Sequence, residues 1–229
     1  MTTSGTNNFN PTLGEAVVHA FGMCGIRPTE ILQEHMVSAR MASNLLLTSW
    51  SADGVNLWKV DLVTVPLVQG QATYSIGTNN IVMLDTYIRT TTDGVNIDRI
   101  ILPVSRTEYA SYPNKEQQGF PTVFWQDRLL SGTVTLWPVP DGSQTSLMYY
   151  EVTQIYDSEF SNGQTVDIPS YFQEAFILGL AYRLALTWAP DRLLALKPLA
   201  EEAYDKAAAQ NIETADFYVS PMTSGFWRQ

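Results

Sequence analysis

The chain has 229 residues, of which 45% are hydrophobic and 16% charged, and this balance is typical of one large or two small globular domains. Thirteen basic residues stand against 23 acidic ones, and the formal net charge of −10 argues against a broad surface for nucleic-acid phosphates. The longest apolar run, around residues 175–189, is interrupted by Arg183 and is too short to span a membrane, so we expect no membrane anchor.

The N-terminal part of the chain predicts two helices. Asn10 or Thr12 can cap the first helix, which ends at Gly25. Thr29 can cap a longer second helix, which Asp53-Gly54 ends because glycine accepts a positive φ. Apolar and small residues recur along the second helix at alternating intervals of four and three, and they form one stripe that needs a partner: Leu32, Met36, Ala39, Ser43, Leu46 and Trp50.

After Gly54 the sequence period changes from about 3.6 to 2, which indicates β-strands. Asp93-Gly94, Ser131-Gly132 and Pro140-Asp141-Gly142 supply tight turns between the β-rich segments. Roughly seven short strands joined by hairpin turns predict an antiparallel sandwich or barrel.

Helix returns at Pro169 and continues to Trp188 with apolar residues on nearly every side. After a break at Pro190, an alanine-rich helix follows, with its own stripe of Leu196, Ala200, Ala203 and Ala207. Each helix pair has an uncovered stripe, so we predict an α+β fold in which the two pairs form a four-helix bundle with the antiparallel β domain inserted between them. The predicted units are a helix pair at 1–54, the β domain at 55–160, a helix pair at 161–211 and an extended C-terminal arm at 212–229.

The sequence offers no catalytic constellation and no cofactor motif. His19 and His35 have no second histidine or cysteine at a metal-binding spacing, and Cys24 is the single cysteine, so a structural role is expected for the histidines. No nucleophile-elbow, zinc-protease, phosphate-loop or dinucleotide-binding motif occurs. The expected function is therefore not enzymatic.

Acidic residues are the only other candidates for a metal-binding or catalytic site. Residues 157–167 gather Asp157, Glu159 and Asp167 with Asn162, and oxygen-rich loops can hold calcium, but the spacing differs from the calcium-loop pattern. Glu151 and Asp157 can be considered as an acid pair for sugar hydrolysis, although the sequence does not give their separation. We expect a solvated acidic loop and no metal site.

Two segments stand out as candidate contacts with other proteins. The stretch at 105–121 is too long for a hairpin loop and places aromatic and basic residues among polar ones: Tyr109, Tyr112, Lys115 and Phe120. The alternative is that this loop folds onto its own sheet. The C-terminal arm has no helical or strand period, since Pro221 and Gly225 interrupt it, yet it is rich in potential anchors: Phe217, Tyr218, Met222, Phe226, Trp227 and Arg228.

The order of these parts resembles the head-to-tail adaptor proteins, also called tail tubular or head-completion proteins, of short-tailed bacteriophages. The resemblance covers nearly the whole chain. It rests on TSWSADGVNLW at the end of the second helix, VTVPLVQGQATYSI, LWPVPDGSQTSLMYYE, IPSYFQEAFILGLAYRLA, the alanine-rich last helix and the irregular C-terminal extension.

The resemblance implies a ring, with twelve copies expected, between the portal of a filled capsid and the tail nozzle, and it implies no catalysis. DNA would pass through the ring without sequence-specific binding, and carboxylates that line a channel would repel its phosphates. The C-terminal arm would dock on the portal. From its length and composition, and not from the resemblance, we expect the loop at 105–121 to contact the tail nozzle or tail fibres. The first residues lack a signal peptide, so we expect assembly in the host cytoplasm and a final place in the virion.

Two other functions remain open at this level. The first is a carbohydrate- or receptor-binding β module on a helical stalk, which requires that Trp125 and Trp137 be exposed. The second is a cell-wall hydrolase, for which the sequence provides no nucleophile.

Overall fold

A computed structural model describes residues 5–6, 9–160 and 163–212 of the chain. The α+β class is confirmed, since within these residues the chain forms five α-helices and ten β-strands. The helices are α1 (Leu13–Met23), α2 (Gln33–Asp53), α3 (Arg106–Ser111), α4 (Gln173–Trp188) and α5 (Leu193–Gln210). The strands are β1 (Val60–Pro66), β2 (Thr73–Ser75), β3 (Asn80–Thr92), β4 (Val95–Ile100), β5 (Leu102–Pro103), β6 (Gln118–Gly119), β7 (Val123–Gln126), β8 (Thr133–Trp137), β9 (Val139–Pro140) and β10 (Ser146–Thr153).

The ends of the first two helices follow from local chemistry. Thr12 caps α1 in a reciprocal arrangement with Glu15, whose carboxylate accepts a hydrogen bond of 2.8 Å from the Thr12 amide. Gly54 ends α2 in the left-handed conformation, with φ of 75°. The expected cap at Thr29 is wrong, because Pro28–Glu30 forms only a 3₁₀ turn and α2 starts at Gln33.

The predicted four-helix bundle is wrong. Helix α4 lies at the centre of the helical part, and the most extensive helix contacts are those of α1, α2 and α5 with α4. Nearly all of α4 is covered, because only Glu174, Leu186 and Thr187 are exposed along its length. A bundle helix buries one stripe between two neighbours, whereas α4 has apolar residues on almost every side and requires partners around most of its circumference.

The buried faces of α2 and α5 largely match the stripes in the sequence. Along α2, Ala39, Ser43, Leu46 and Trp50 are buried, whereas Leu32 is exposed because it precedes the helix. All four stripe residues of α5 are buried. Together with α1 and α4 they form one hydrophobic core, in which the largest fully covered side chains include Phe21, Phe172 and Phe176.

The β part consists of two four-stranded sheets and one two-stranded sheet. The first four-stranded sheet has the strand order β1-β10-β3-β4 and is antiparallel throughout. The second has the order β2-β8-β7-β5, and β5 pairs with β7 in parallel, as β6 does with β9. The purely antiparallel domain that the sequence suggested is therefore wrong in these two short pairs. The inner faces of both larger sheets share a second core around Ile88, Leu136 and Leu147.

Polar contacts join the helical part to the first sheet. Lys59, just before β1, places its Nζ 3.0 Å from Asp167 Oδ2, and the same oxygen accepts a hydrogen bond of 3.2 Å from the Tyr156 amide. The Lys59 ammonium also lies 3.6 Å from the centroid of the Tyr156 ring. One carboxylate thus holds together the segments that enter β1, leave β10 and approach α4.

Two truncations, one in α4 and one in α5, should separate core residues from exposed ones. We expect Phe176→Ala to lower the free energy of unfolding by about 3–5 kcal/mol, because it opens a cavity where α4 meets the other helices. Leu194→Ala removes a side chain that is 92% exposed and should change the free energy by less than about 0.5 kcal/mol. Urea denaturation measures both changes, and similar values for the two variants would contradict the central position of α4.

Candidate assembly surfaces

The segment at 105–121 lies on its own β-sheet and is held there by aromatic stacking. Ser105 caps helix α3, and its hydroxyl accepts a hydrogen bond of 3.1 Å from the Glu108 amide. The Tyr109 ring stacks on Trp125, with 5.6 Å between centroids and 20° between planes. The Tyr112 ring stacks on Trp137, with 4.2 Å between centroids and the same interplanar angle.

Backbone contacts fix the rest of this segment. Lys115 Nζ donates to the carbonyl oxygens of Ala110 at 3.1 Å and Tyr112 at 2.7 Å, and it lies 5.0 Å from the centroid of the Tyr109 ring. The indole nitrogen of Trp137 donates to the carbonyl oxygen of Asn114 at 2.9 Å. The loop therefore has a defined shape, and its aromatic rings are engaged by its own sheet.

Phe120 also has a partner within the chain. The Arg99 guanidinium carbon lies 4.9 Å from the centroid of the Phe120 ring, and Phe120 packs against the core of the β part. Burial raises the pKa of Tyr109, and burial together with the nearby Glu108 carboxylate raises the pKa of Tyr112. Both phenols are therefore neutral at physiological pH.

The positions of Trp125 and Trp137 bear on the carbohydrate-binding alternative. Both side chains are half-buried, and a tyrosine ring covers one face of each indole. A sugar platform needs an open indole face, so this geometry disfavours a sugar site at these residues.

Helix α2 carries an exposed apolar stripe opposite its buried face. Val37, Met41 and Leu45 follow each other at intervals of four, so they lie on one side of the helix, and Met41 is 62% exposed. A contiguous exposed apolar surface of this kind marks a site of association more often than an isolated exposed residue does.

A groove of about 390 Å³ lies between α2, α4 and α5. Its wall includes Trp50 and Tyr204, whose rings stack with centroids 5.8 Å apart, and Tyr204 donates a hydrogen bond of 3.0 Å to Asp53. Arg183 also lines the groove and forms no ion pair with the described residues, and burial lowers the pKa of its guanidinium.

Asp157 and Asp167 line one cavity, but most of the sequence candidates for metal binding and acid chemistry have other partners. Asp167 pairs with Lys59, Glu159 lies 3.9 Å from Arg40, and Glu151 accepts a hydrogen bond from Asn80. Within the part of the chain that the structure describes, no cluster of three or more metal-binding side chains occurs. Asn162, the remaining member of that acidic loop, lies outside the described residues.

The histidines and the cysteine have different environments. His35 is buried between Phe21 and Trp188, and its Nδ1 accepts a hydrogen bond of 3.0 Å from the Leu32 amide at the start of α2. This contact gives His35 a structural role, whereas His19 is exposed on α1. Cys24 is buried, its thiol donates to the Ala181 carbonyl oxygen at 3.4 Å, and burial raises its pKa.

The predicted anchors of the C-terminal arm lie outside the described residues: Phe217, Tyr218, Met222, Phe226, Trp227 and Arg228. The last described residues show where this segment begins. Asn211, next to Ile212, contacts the Val55 carbonyl oxygen and accepts a hydrogen bond of 3.2 Å from the Tyr171 hydroxyl. The arm therefore starts beside the junction between the helical part and the sheets.

Comparison with known proteins identifies the family of a chain with this architecture. A family model described as SU10 adaptor protein matches residues 38–225, which is well over half of the chain. The chain belongs to the SU10 adaptor protein family. No curated protein matched the chain.

Membership of the SU10 adaptor family confirms the resemblance to phage head-to-tail adaptors. The family is one of structural phage adaptors and is not a known enzyme family. A phage adaptor is a component of the virion and interacts with portal and tail components. No helix in the described part of this family member is long and apolar enough to cross a membrane.

The tyrosine–tryptophan stacks can be tested by removing one ring. We expect Tyr109→Ala to lower the free energy of unfolding by roughly 1 kcal/mol, because it removes the ring that covers Trp125. Tyr109→Phe keeps the ring and should unfold like the parent. Urea denaturation gives the stability, and near-ultraviolet circular dichroism should lose part of the aromatic signal only in the alanine variant. Equal signals in both variants would argue against the stack.

Proposed function

We propose that this protein is the head-to-tail adaptor that joins the portal of a bacteriophage to its tail nozzle, as a ring of about twelve copies that continues the DNA channel. The observation that carries the proposal is the match of the SU10 adaptor family model over residues 38–225. The fold agrees with a structural role, because its candidate features are exposed surfaces on α2 and β4 that suit association with other proteins.

The surface of the single chain supports assembly into a larger complex. The apolar stripe of α2 formed by Val37, Met41 and Leu45 is exposed in one copy, as are the apolar residues of β4, and association would remove them from water. Repeated head-to-tail contacts between identical subunits close into a ring when the rotation between neighbours permits it. The expected number of copies follows from the resemblance to the adaptor family and not from these contacts.

The net charge agrees with a conduit for DNA. A formal charge of −10 gives each copy an excess of carboxylates, and a channel that passes a polyanion should repel its phosphates more than it binds them. A ring of such subunits would let DNA slide and would not hold it at a particular sequence. Genome ejection requires this behaviour of the portal–tail junction.

Two segments are proposed as contacts with the other virion proteins. The C-terminal arm, with Phe217, Tyr218, Met222, Phe226, Trp227 and Arg228, would bind the portal through its aromatic side chains. The loop at 105–121 would contact the tail nozzle or tail fibres. Because Tyr109, Tyr112, Lys115 and Phe120 are engaged within the chain, the contact would depend on the shape that they give to the loop.

The first test of this function is assembly on the portal. We expect the purified chain to be a monomer or a small oligomer by itself and to form a ring when mixed with the portal of the same phage. Light scattering and native mass measurement distinguish these states. A chain that remains monomeric in the presence of the portal would overturn the adaptor function, and a stable ring without the portal would overturn the need for a template.

The second test removes the arm. We expect deletion of residues 217–229 to leave the unfolding temperature within about a degree or two of the parent and to abolish stable association with the portal. Burial of two or three aromatic side chains can contribute roughly 1.5–3 kcal/mol each, and many copies act together in a ring. A large loss of thermal stability, or normal association of the truncated chain, would contradict the arm as a portal contact.

A further inference from the structure

The antiparallel sheet with order β1-β10-β3-β4 has two outer edges, β1 and β4. Among the described residues, no strand pairs with the outer side of either one. Open strand edges are prone to pair with other chains, and soluble proteins usually block them with charges, prolines or covering segments. The two edges of this sheet are therefore the first places to look for a contact with another molecule.

Hydrogen bonds next to β1 show which of its backbone groups point away from the sheet. The Leu67 amide donates to the Thr145 carbonyl oxygen at 3.1 Å, so Leu67 faces β10. Since backbone direction alternates along an antiparallel strand, residues 61, 63 and 65 also face β10. Leu62 and Thr64 then direct their amide and carbonyl groups outward, and Pro66 has no amide hydrogen to offer.

The same reasoning applies to β4. The Ile101 amide donates to the Thr86 carbonyl oxygen at 3.0 Å, so residues 101, 99, 97 and 95 face β3. Asn96 and Asp98 therefore present free backbone groups at the outer edge. The Asp98 carboxylate does not block this edge as an unpaired charge would, because Arg89 binds it through two nitrogens at 2.7 Å each.

Strand β4 is also unusually apolar for an exposed edge. Val95, Ile97 and Ile100 are all exposed, and every residue of the strand is exposed in the single chain. Cross-strand partners share a face, so Ile97 and Val95 lie on the side of the sheet that carries Ile88, beyond the end of the core. These residues would gain from a partner strand that continues the apolar face.

The two edges of one copy fit each other. Four strands alternate in direction, so β1 of a second copy, placed beside β4, would continue the antiparallel alternation. Outward-facing residues must oppose outward-facing residues in such a pair, and this fixes the register to steps of two. One of these registers gives chemically similar or oppositely charged partners at five of six positions, the exception being Asp98 with Leu62: Val95 with Val65, Asn96 with Thr64, Ile97 with Val63, Arg99 with Asp61 and Ile100 with Val60.

The charge of Arg99 and the position of Pro66 favour this register over the two registers that are shifted by two residues. Arg99 and Asp61 are both exposed and form no ion pair with the described residues of their own copy, and this register places them directly opposite each other. A shift of two residues in one direction places Arg99 opposite Lys59, which lies before β1 and already pairs with Asp167, so Arg99 would gain no carboxylate partner. A shift in the other direction places Asn96 opposite Pro66, which removes a ladder hydrogen bond.

We propose that neighbouring copies of the chain associate by β-sheet addition, in which the outer edge of β4 in one copy pairs with the outer edge of β1 in the next, with Arg99 opposite Asp61. The inference rests on the proposed ring and names its contact between subunits. Because the two edges differ, the contact is head-to-tail and repeats around the ring until closure leaves no open edge.

Charge reversal on either side tests the contact. We expect Arg99→Asp or Asp61→Arg alone to reduce the amount of ring formed on the portal about tenfold, since each places like charges opposite each other at every contact. The double variant Arg99→Asp with Asp61→Arg restores opposite charges and should recover most of the ring. Thermal unfolding of each free variant shows whether its fold is intact. Double reversal without recovery, or single reversals without loss, would overturn the proposal.

Disulfide trapping gives an independent readout. Ile97→Cys combined with Val63→Cys should give copies linked into ladders when the ring on the portal is oxidised. Within one copy, strands β1 and β4 are three strand spacings apart, about 14 Å, and this distance alone is too far for a disulfide. Ile97→Cys with Val65→Cys is displaced by two residues and should link at least about tenfold more slowly, because the diagonal separation of about 7–8 Å exceeds disulfide geometry.

The outcomes distinguish a failure of the proposed adaptor function from a failure of the proposed sheet contact. If the unmodified chain forms no ring on the portal, the proposed function fails before the contact is tested. If the ring forms and the cysteine pair gives no ladder, the sheet contact is wrong and the adaptor function stands. The same holds if the thiol introduced by Ile97→Cys links to the portal and not to another copy of the chain.

Discussion

The burial of α4 is the constraint on which the rest of the structure depends. This helix is apolar around most of its circumference, so it is stable in water only when other elements cover it on several sides. Helices α1, α2 and α5 provide that cover. The Leu46 side chain of α2 lies so close to Gly179 that a Cβ added to this glycine would be 3.1 Å from Leu46 Cδ2, and the leucine would have to shift. The fold thereby uses the buried faces of α1, α2 and α5 for its core and leaves the second apolar stripe of α2, formed by Val37, Met41 and Leu45, exposed. The polar contacts around Asp167 then fix the first sheet relative to this core.

Much of the local structure could be predicted from the sequence, because its causes are local. Glycine at position 54 ends α2, and Asp93 and Gly94 both take positive φ values, 53° and 78°, in the predicted turn between β3 and β4. The stripe of α5 identifies residues that are buried. The packing of the helices could not be predicted in the same way, since a stripe shows that a face is covered and does not identify its partner. The four-helix bundle was wrong for this reason, and the parallel pairs β5–β7 and β6–β9 were missed because alternation of polar and apolar residues does not encode strand direction.

For the candidate surfaces, too, local features could be predicted from the sequence, whereas contacts between distant residues could not. The sequence identified the loop at 105–121 as unusual, but only the structure shows that Tyr109 and Tyr112 stack on Trp125 and Trp137. These pairs are distant in the sequence, so no local spacing indicates them. The open edges of β1 and β4 were also beyond sequence reasoning, since they depend on the strand order of the sheet. The exposed apolar residues of β4 were visible in the sequence only as an ordinary strand pattern.

The central claim is that this adaptor family member completes its sheet with a neighbouring copy when it assembles. The most direct measurement is amide hydrogen exchange at Leu62, Thr64, Asn96 and Asp98, first in the free chain and then in the ring on the portal. The account predicts fast exchange of these four amides in the free chain and strong protection in the ring, while the amides of β10 and β3 are protected in both states. Exchange at these four positions that stays equally fast after the ring has formed would contradict it.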